Sequence, residues 1–554
     1  MKKGTKNFFK YLLILFLLLI ILAIAFFAIL YFFPGTCILG YQYVQYEETV
    51  GKEFSQADLA SEYVDSIKIL GNTAKVVVEP NVTSDKIVLS YKQNVMGFAR
   101  ETNSQILLDT NVLSEQQYED HTGEYKSLVI SITEPSGAFV SSSSILSIYL
   151  PQTYNVPLLY CKSSKDIVYT SKVAKTVDET TTNYSTSVND VIFEAQNYGD
   201  ISLGCESGTK FYLSTERGDV LLSGTSFSAN KIKFDTKKGQ LKFSSNENST
   251  LTLVDKLEIF SYGGDGAKID LNTLNGNLTI NSTSGNYKIG TIGSFESPKS
   301  VILNCTNSTF NFGTVYGYVS LQNGGDERKN SFTATTINNT TTNTNTFEVG
   351  KGNVNISKLV GKSSLSSTSG SLYVKEIDKN SSVCAISDTG NIDLTYESSK
   401  DSIINTKVDV FSKIGNISLK NISGLLNVDI LSTSKESKLT IVFTAVCEGD
   451  NVISARDRDV SITLKGYSDK FQFRYLLTTK PIFQKIIEEM DSAPSRVSSG
   501  DEYLLDDESY KDKYTYQYRY GYKEGTAIAT VDSYGKLLIS TSGTARMFID
   551  PTLD

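Results

Sequence analysis

One short pattern recurs along this 554-residue chain: a glycine and a polar residue are followed by alternating apolar and polar residues. Successive glycines are often about 18–21 residues apart, and some copies recur at about half that distance. Such a repeat constrains the fold strongly, because each unit must stack on its neighbours to bury its apolar side chains. The glycines of the pattern are Gly199, Gly218, Gly239, Gly276, Gly352, Gly370, Gly390, Gly415 and Gly535.

The repeat length predicts short strands. A spacing of about 9–10 residues fits one strand of about five residues and a turn, so the longer spacing corresponds to two strands. We therefore predict an all-β chain that forms a β-solenoid or β-roll. One N-terminal transmembrane helix precedes it, and a short helix lies in a C-terminal cap.

Each residue of the pattern has an expected position. The glycine is expected at a corner with positive φ, and the neighbouring Asn or Asp tolerates the same conformation. The next apolar residues, such as Ile201 and Leu203, should point into the core. The polar residue between them, Ser202 in that copy, should point outward.

Composition excludes several classes of function. The net charge is −8, which argues against a nucleic-acid partner, because phosphate binding needs a basic surface. His121 is the one histidine of the sequence, so a metal or acid–base site that needs histidine is not expected, nor is a cofactor. The six cysteines form no CxxC pair and are expected to be small buried residues, with one or two disulfides as an alternative.

Residues 11–33 form an apolar run without charge, long enough to cross a bilayer. Lysines precede it, and Glu47 and Glu48 follow it, so the positive-inside rule predicts a cytoplasmic tail over residues 1–10 and an extracellular ectodomain over residues 34–554. The chain is thus predicted to be a single-pass protein of the cell membrane that contacts the lipid bilayer through this helix. A cleaved signal peptide, or lipid attachment at Cys37, is the competing interpretation.

The ectodomain divides by pattern. Its last part differs from the repeats because Pro481–Met490 places apolar residues at helical spacing and a dense run of acids and tyrosines follows. The predicted parts are a stalk (34–60), an N-terminal β-rich part (61–160), solenoid repeats (161–469), a helix with an acidic Tyr-rich cap or insertion (470–524), and terminal strands (525–554).

Several segments resemble those of the bacterial putative-adhesin, β-strand-repeat family, whose domain has no known function. They are Leu146–Pro151, the turn run Ser163–Ile167, the repeated glycine pattern, and the Ser-Thr-Ser-Gly turn of Ser282–Gly285 that recurs at Ser367–Gly370 and Ser540–Gly543. The resemblance implies a β-solenoid or β-roll domain at the cell envelope. It implies no catalytic or binding residues.

Tyrosines of the Tyr-rich segment are the candidate contact residues, because a tyrosine offers a flat apolar face with a polar tip. Packing within the cap is the alternative for them. They are Tyr510, Tyr514, Tyr516, Tyr518 and Tyr520. The neighbouring acids could bind Ca²⁺, but their spacing fits no EF-hand loop, and a solvated acidic loop is the favoured interpretation. These acids are Asp501, Glu502, Asp506, Asp507 and Glu508.

Arg217-Gly218-Asp219 spells an integrin-binding tripeptide, but Gly218 occupies the repeat position of Gly199, so we interpret it as a corner. Acids at strand and corner positions, such as Asp270 and Asp393, come singly, whereas a glycosidase needs paired carboxylates.

We therefore predict a non-enzymatic surface protein that acts in adhesion or as an envelope scaffold, binding a surface glycan or another envelope protein. The alternative is a membrane-tethered sensor or regulatory partner, and a polysaccharide-active enzyme is a third class.

Overall fold

The repeated pattern forms strands, and the chain has an all-β fold behind one N-terminal apolar helix, as predicted. The structure is a computed structural model, and it divides into two compact units, Met1–Asn246 and Glu247–Asp554. It describes residues 3–55, 64–100, 107–118, 124–135, 137, 140–152, 155–177, 180–204, 209–245, 248–264, 266–322, 327–397, 406–430, 437–444, 449–465, 473–479, 481–485, 513–514, 516–520 and 535–550.

The first unit contains the helix and twenty-one strands among its described residues. They are α1 (Lys3–Phe32), β1 (Tyr41–Tyr46), β2 (Thr49–Ser55), β3 (Ser66–Asn72), β4 (Lys75–Pro80), β5 (Lys86–Lys92), β6 (Val95–Arg100), β7 (Leu107–Gln116), β8 (Tyr125–Thr133), β9 (Ser141–Ser142), β10 (Ile145–Leu150), β11 (Asn155–Ser163), β12 (Ile167–Thr170), β13 (Lys172–Val177), β14 (Thr180–Ser185), β15 (Ser187–Ala195), β16 (Ile201–Gly204), β17 (Lys210–Thr215), β18 (Val220–Leu222), β19 (Ser226–Ala229), β20 (Lys231–Thr236) and β21 (Gln240–Phe243).

The described part of the second unit consists of strands. They are β22 (Thr250–Ser261), β23 (Ala267–Ile292), β24 (Lys299–Leu321), β25 (Ser331–Asn338), β26 (Asn345–Glu348), β27 (Val354–Val360), β28 (Ser363–Ser367), β29 (Leu372–Ile377), β30 (Val383–Ser387), β31 (Ile392–Tyr396), β32 (Lys407–Ser412), β33 (Ile417–Ile422), β34 (Leu425–Ile430), β35 (Leu439–Phe443), β36 (Asp450–Arg456), β37 (Val460–Lys465), β38 (Phe473–Leu477), β39 (Ile482–Lys485), β40 (Tyr516–Tyr520), β41 (Gly535–Thr541) and β42 (Ala545–Asp550).

Helix α1 contains a stretch, Phe8–Phe32, that is long and apolar enough to cross a membrane. Its end contacts a small antiparallel sheet of β1, β6 and β9. The ring of Phe27 lies 4.7 Å from that of Phe98, and Tyr31 lies 5.0 Å from Tyr43, measured between ring centroids. β1 and β2, which pair with β6 and β5, lie within the segment that the sequence predicts as a stalk.

Most strands of the first unit belong to two parallel ladders. One ladder runs in the spatial order β8, β3, β11, β15, β17 and β20. The other runs in the order β10, β4, β12, β16, β18 and β21. From β15 onward, and apart from β19, strands that are consecutive in sequence alternate between the ladders, so a repeat of about 20 residues supplies one strand to each.

The second unit has the same alternation. The long strands β22, β23 and β24 pair in parallel, and β24 then pairs with both β25 and β26, from which two ladders continue. One continues through β27, β29, β31, β33, β35, β37, β42 and β39. The other continues through β28, β30, β32, β34, β36, β41 and β38.

In each unit the two ladders share an apolar core. The predicted inward residues, such as Ile201 and Leu203, are fully buried. Aromatic rings also meet across the core. In the first unit, Tyr169 of one ladder lies 5.8 Å from Phe193 of the other, and in the second unit Phe332 lies 4.8 Å from Phe347. Period-two burial on parallel strands therefore produces a core between two sheet faces.

The corner glycines are needed for a different reason from the one predicted. None of the seven described glycines that stack at corners has positive φ. Instead, a Cβ on any of them would overlap the carbonyl of the previous repeat; at Gly218, for example, it would meet the carbonyl oxygen of Gly199. Close backbone stacking therefore excludes every side chain. These corner glycines are Gly199, Gly218, Gly239, Gly352, Gly370, Gly390 and Gly415.

Where an Asn or Asp follows a corner glycine, its side chain also has a structural role that the sequence did not predict. In the first unit, the amide of Asp219 donates to Oδ1 of Asp200 at 2.7 Å, and the amide of Gln240 donates to Oδ1 of Asp219 at 3.0 Å. In the second unit, the amide of Asn416 donates to Oδ1 of Asn391 at 2.9 Å. Each side chain accepts a bond from the next repeat, so the hydrogen-bond ladder continues through the corner.

Three ladder ends among the described residues are covered by antiparallel strands. β7 covers β8, β5 covers β10, and β40 covers β38. The helix predicted over Pro481–Met490 is wrong for Ile482–Lys485, which form β39 and pair with β42. The apolar residues of this segment extend the ladder, and a partner strand outweighs the weak helical spacing. The remaining residues of that prediction lie outside the described ones.

A buried arginine fixes one corner of the second unit. Arg458 is fully buried and donates from Nη1 to the carbonyl of Gly415 at 2.8 Å and from Nη2 to that of Lys413 at 2.6 Å. Burial lowers the pKa of its guanidinium. The planar guanidinium thereby satisfies two backbone acceptors in the core of the stack.

We expect Gly390→Ala to destabilise the second unit, because the new Cβ would overlap the carbonyl of Gly370. The expected loss is about 3 kcal/mol or more, the range of backbone clashes in a packed interior. Gly264→Ala is the matched control, since a Cβ there has nothing within 4 Å. Thermal unfolding and amide hydrogen exchange of the full chain should separate the variants. Equal stability would show that the corners can spread apart.

Candidate functional site

The structure places the predicted contact tyrosines in different environments. Tyr510 lies outside the described residues. Tyr514 is 2% exposed and packs on Leu476 and Leu538, so its ring is not available to an external partner. The other three lie on β40, Tyr516–Tyr520, which pairs antiparallel with β38.

A second group of tyrosines, which the sequence analysis did not select, lies on the outward face of β11, β15 and β17. Tyr160 pairs in register with Ile192, and Ile192 pairs with Tyr212. Because paired residues of parallel strands point the same way, the three side chains form one column. We call this column, with the side chains that contact it, the tyrosine face.

Two tyrosines from other strands cover one end of the tyrosine face. Tyr118, which follows β7, packs on Leu158 and Ile192, and its ring lies 5.3 Å from that of Tyr160. Tyr125 of β8 lies 5.6 Å from Tyr118 in an edge-on arrangement. Tyr118 is buried, whereas the rings of Tyr125, Tyr160 and Tyr212 are half-buried. The face therefore keeps partly accessible aromatic surface.

Lysines border the tyrosine face. In strand register, Lys68 of β3 lies opposite Tyr160 at one end of the column, and Lys233 of β20 lies opposite Tyr212 at the other end. The ammonium group of Lys68 lies 5.6 Å from the ring centroid of Tyr160, and that of Lys231 lies 5.7 Å from the ring of Tyr212. Both distances fall within the range of cation–π attraction.

Acidic residues lie in the columns on either side. Glu194 pairs with Lys162 at 3.1 Å and accepts a hydrogen bond from the hydroxyl of Tyr160 at 3.0 Å. Asp190 lies 3.7 Å from Lys210. Ion pairs this exposed contribute little to stability.

The phenol groups of Tyr118, Tyr125 and Tyr160 stay protonated. Burial, followed by the charge of Glu194 and the hydrogen bond to it, raises the pKa of Tyr160 far above its usual value. Burial also raises the pKa of Tyr118 and that of Tyr125. These hydroxyls are therefore hydrogen-bond donors at any physiological pH.

The Arg-Gly-Asp tripeptide lies at a corner, in agreement with its structural interpretation. The carboxylate of Asp219 accepts the amide of Gln240 and pairs with Lys242 at 2.7 Å. Arg217 donates to the hydroxyl of Tyr198 at 3.1 Å and lies over its ring. The aspartate is thus engaged within the stack rather than presented to a receptor.

The other strand acids considered in the sequence each lie near a lysine, which is on the same strand, β23, for Asp270 and on a neighbouring strand for Asp393. Asp270 lies 3.4 Å from Lys288, and Asp393 lies 3.7 Å from Lys420. Among the described residues, no three His, Cys, Asp or Glu side chains come together as metal ligands. The acids Asp501–Glu508 and His121 lie outside that part of the chain.

Cys161 and Cys305 are buried free thiols, and burial raises the pKa of Cys305 to about 12.

No known protein family and no curated protein matches the sequence. Two solved structures are similar. One is a putative adhesin from Parabacteroides merdae, with 11% identity and a TM-score of 0.16, covering 68% of this chain and 96% of that chain. The other is a putative adhesin from Parabacteroides distasonis, with 10% identity and a TM-score of 0.17, covering 68% and 97%. Both TM-scores are low, so these structures do not indicate the function of this chain.

Asp219 offers a test of the structural role of the tripeptide. We expect Asp219→Ala to destabilise the first unit by about 1–3 kcal/mol, because the amide of Gln240 loses its acceptor. Asp219→Asn keeps that acceptor and should cost less. Arg217→Ala should leave stability and any cell binding unchanged. Thermal unfolding and cell-binding assays measure both effects, and loss of binding by a folded Arg217→Ala protein would contradict the corner interpretation.

Proposed function

We propose that this chain is a non-enzymatic, single-pass surface protein whose β-solenoid ectodomain acts in adhesion or as a scaffold of the cell envelope. The observation that carries the proposal is one apolar helix joined to parallel ladders with outward columns of polar and aromatic side chains. A column repeats its chemistry at each strand, so many weak contacts can act together.

The alternation of strands supports the solenoid. Strands two apart in sequence pair in parallel, as Val354 with Leu372 and Leu372 with Ile392. The two ladders of each unit also share a core. A chain that supplies one strand to each ladder in every repeat has to coil, and the antiparallel end strands protect the exposed edges.

The charges around α1 support an extracellular ectodomain. Lys2, Lys3, Lys6 and Lys10 precede the apolar stretch, and Glu47 and Glu48 follow it. The positive-inside rule then assigns the lysines to the cytoplasm.

A membrane-tethered regulatory partner is the second candidate, and one observation favours it. The aromatic contacts between α1 and the small sheet, Phe27 with Phe98 and Tyr31 with Tyr43, join the helix directly to the folded part. A displacement of the ectodomain could therefore be transmitted to a neighbouring membrane protein. Co-purification of one defined membrane protein with the full chain would favour this candidate.

Attachment of intact cells tests the proposal. Cells that carry the full chain should bind glycan-coated surfaces, cells without the gene should bind several-fold less, and re-expression should restore binding. An impermeant protease applied to intact cells should remove the ectodomain and abolish attachment. Unchanged attachment without the gene would argue against adhesion. Turnover of a glycan by the purified full chain would argue against a non-enzymatic role.

A further inference from the structure

We propose that the tyrosine face binds an acidic oligosaccharide, with its sugar rings stacked along the column of Tyr160, Ile192 and Tyr212. The inference rests on the proposed function and names the class of ligand for it. It is carried by the geometry of the column, by the charges that border it, and by the pairing of the strands beneath it.

The geometry suits a chain of sugar rings. Tyr160 and Tyr212 are two strands apart, which places them about 10 Å from each other along the ladder. Ile192 lies between them and is almost buried, with Tyr118 packed against it, so the rings of Tyr160 and Tyr212 provide the accessible surface. The apolar face of a sugar can lie on each half-buried ring, while protonated phenols and the carboxylates of Asp190 and Glu194 reach its hydroxyls.

The charges favour an acidic ligand. Five lysines belong to the tyrosine face or its flanking columns, against three acids, although the whole chain has a net charge of −8. The lysines are Lys68, Lys162, Lys210, Lys231 and Lys233, and the acids are Asp190, Glu194 and Asp235. An acid group on the sugar would therefore find a complementary charge at this face, and binding would weaken as salt screens it.

The pairing of the strands argues against a peptide that adds as an extra strand. β11 pairs with β3 and β15, and β17 pairs with β15 and β20, so both edges of these strands are occupied. A ligand must contact the outward side chains, without main-chain hydrogen bonds to the ladder. A stacked oligosaccharide meets this requirement.

The experiment measures binding to the full chain in detergent micelles by isothermal titration calorimetry. The probes are hexamers of galacturonic acid and hyaluronan, with maltohexaose as the neutral control. Tyr212→Ala should weaken binding of an acidic probe by about tenfold, the loss of roughly 1.4 kcal/mol. Tyr212→Phe keeps the ring and should stay within about threefold.

Two further variants separate stacking from charge and from general effects. Lys233→Gln should weaken binding of the acidic probe and reduce its salt dependence, because the variant removes a charge at the end of the column. Tyr373→Ala should leave binding unchanged, since that tyrosine is 38% exposed on β29 of the other unit.

Three results would overturn the inference: binding of neither acidic probe, tighter binding of the neutral hexamer, or unchanged binding by a folded Tyr212→Ala protein. Attachment of cells is measured independently. If gene loss abolishes attachment but Tyr212→Ala does not alter it, the adhesion proposal stands and this ligand assignment fails. If the acidic probes bind as expected but gene loss leaves attachment unchanged, the ligand assignment stands and adhesion fails.

Discussion

Close stacking of backbone at the corners is the constraint on which the rest of the structure depends. Gly218 lies against the carbonyl of Gly199, and Gly390 against that of Gly370, with no room for a side chain between them. The Asn and Asp residues beside these glycines continue the hydrogen bonding through the turn. Successive repeats are therefore held one strand spacing apart, and residues at equivalent positions align in columns.

Alignment in columns determines which residues remain for function. Asp219 accepts a hydrogen bond at a corner, Asp270 pairs with Lys288 of its own strand, and Asp393 pairs with Lys420 of a neighbouring strand. The outward columns carry side chains that the stack does not need. A surface built in this way offers repeated contacts rather than one enclosed site, in keeping with a binding role.

Period-two alternation predicted the inward positions well, because burial at Ile201 and Leu203 follows from strand geometry alone. The reason for the corner glycines was not predictable, since close approach and positive φ both require glycine. At Ile482–Lys485 the apolar spacing fits a helix or a strand, and pairing with β42 decides between them. The tyrosine face could not be recognised either, because Tyr160 and Tyr212 become neighbours only through the register of β15.

The two units differ in how far their outward apolar side chains are covered by other residues. In the second unit, Leu538 and Leu476 form part of an outward column, and Tyr514 buries them almost completely. In the first unit, Tyr118 covers Leu158, but Tyr212 stays half-buried beside lysines. Covering by the chain's own tyrosine stabilises the end of a ladder. Partly exposed rings bordered by charge leave aromatic surface in contact with solvent, which the proposed oligosaccharide would cover.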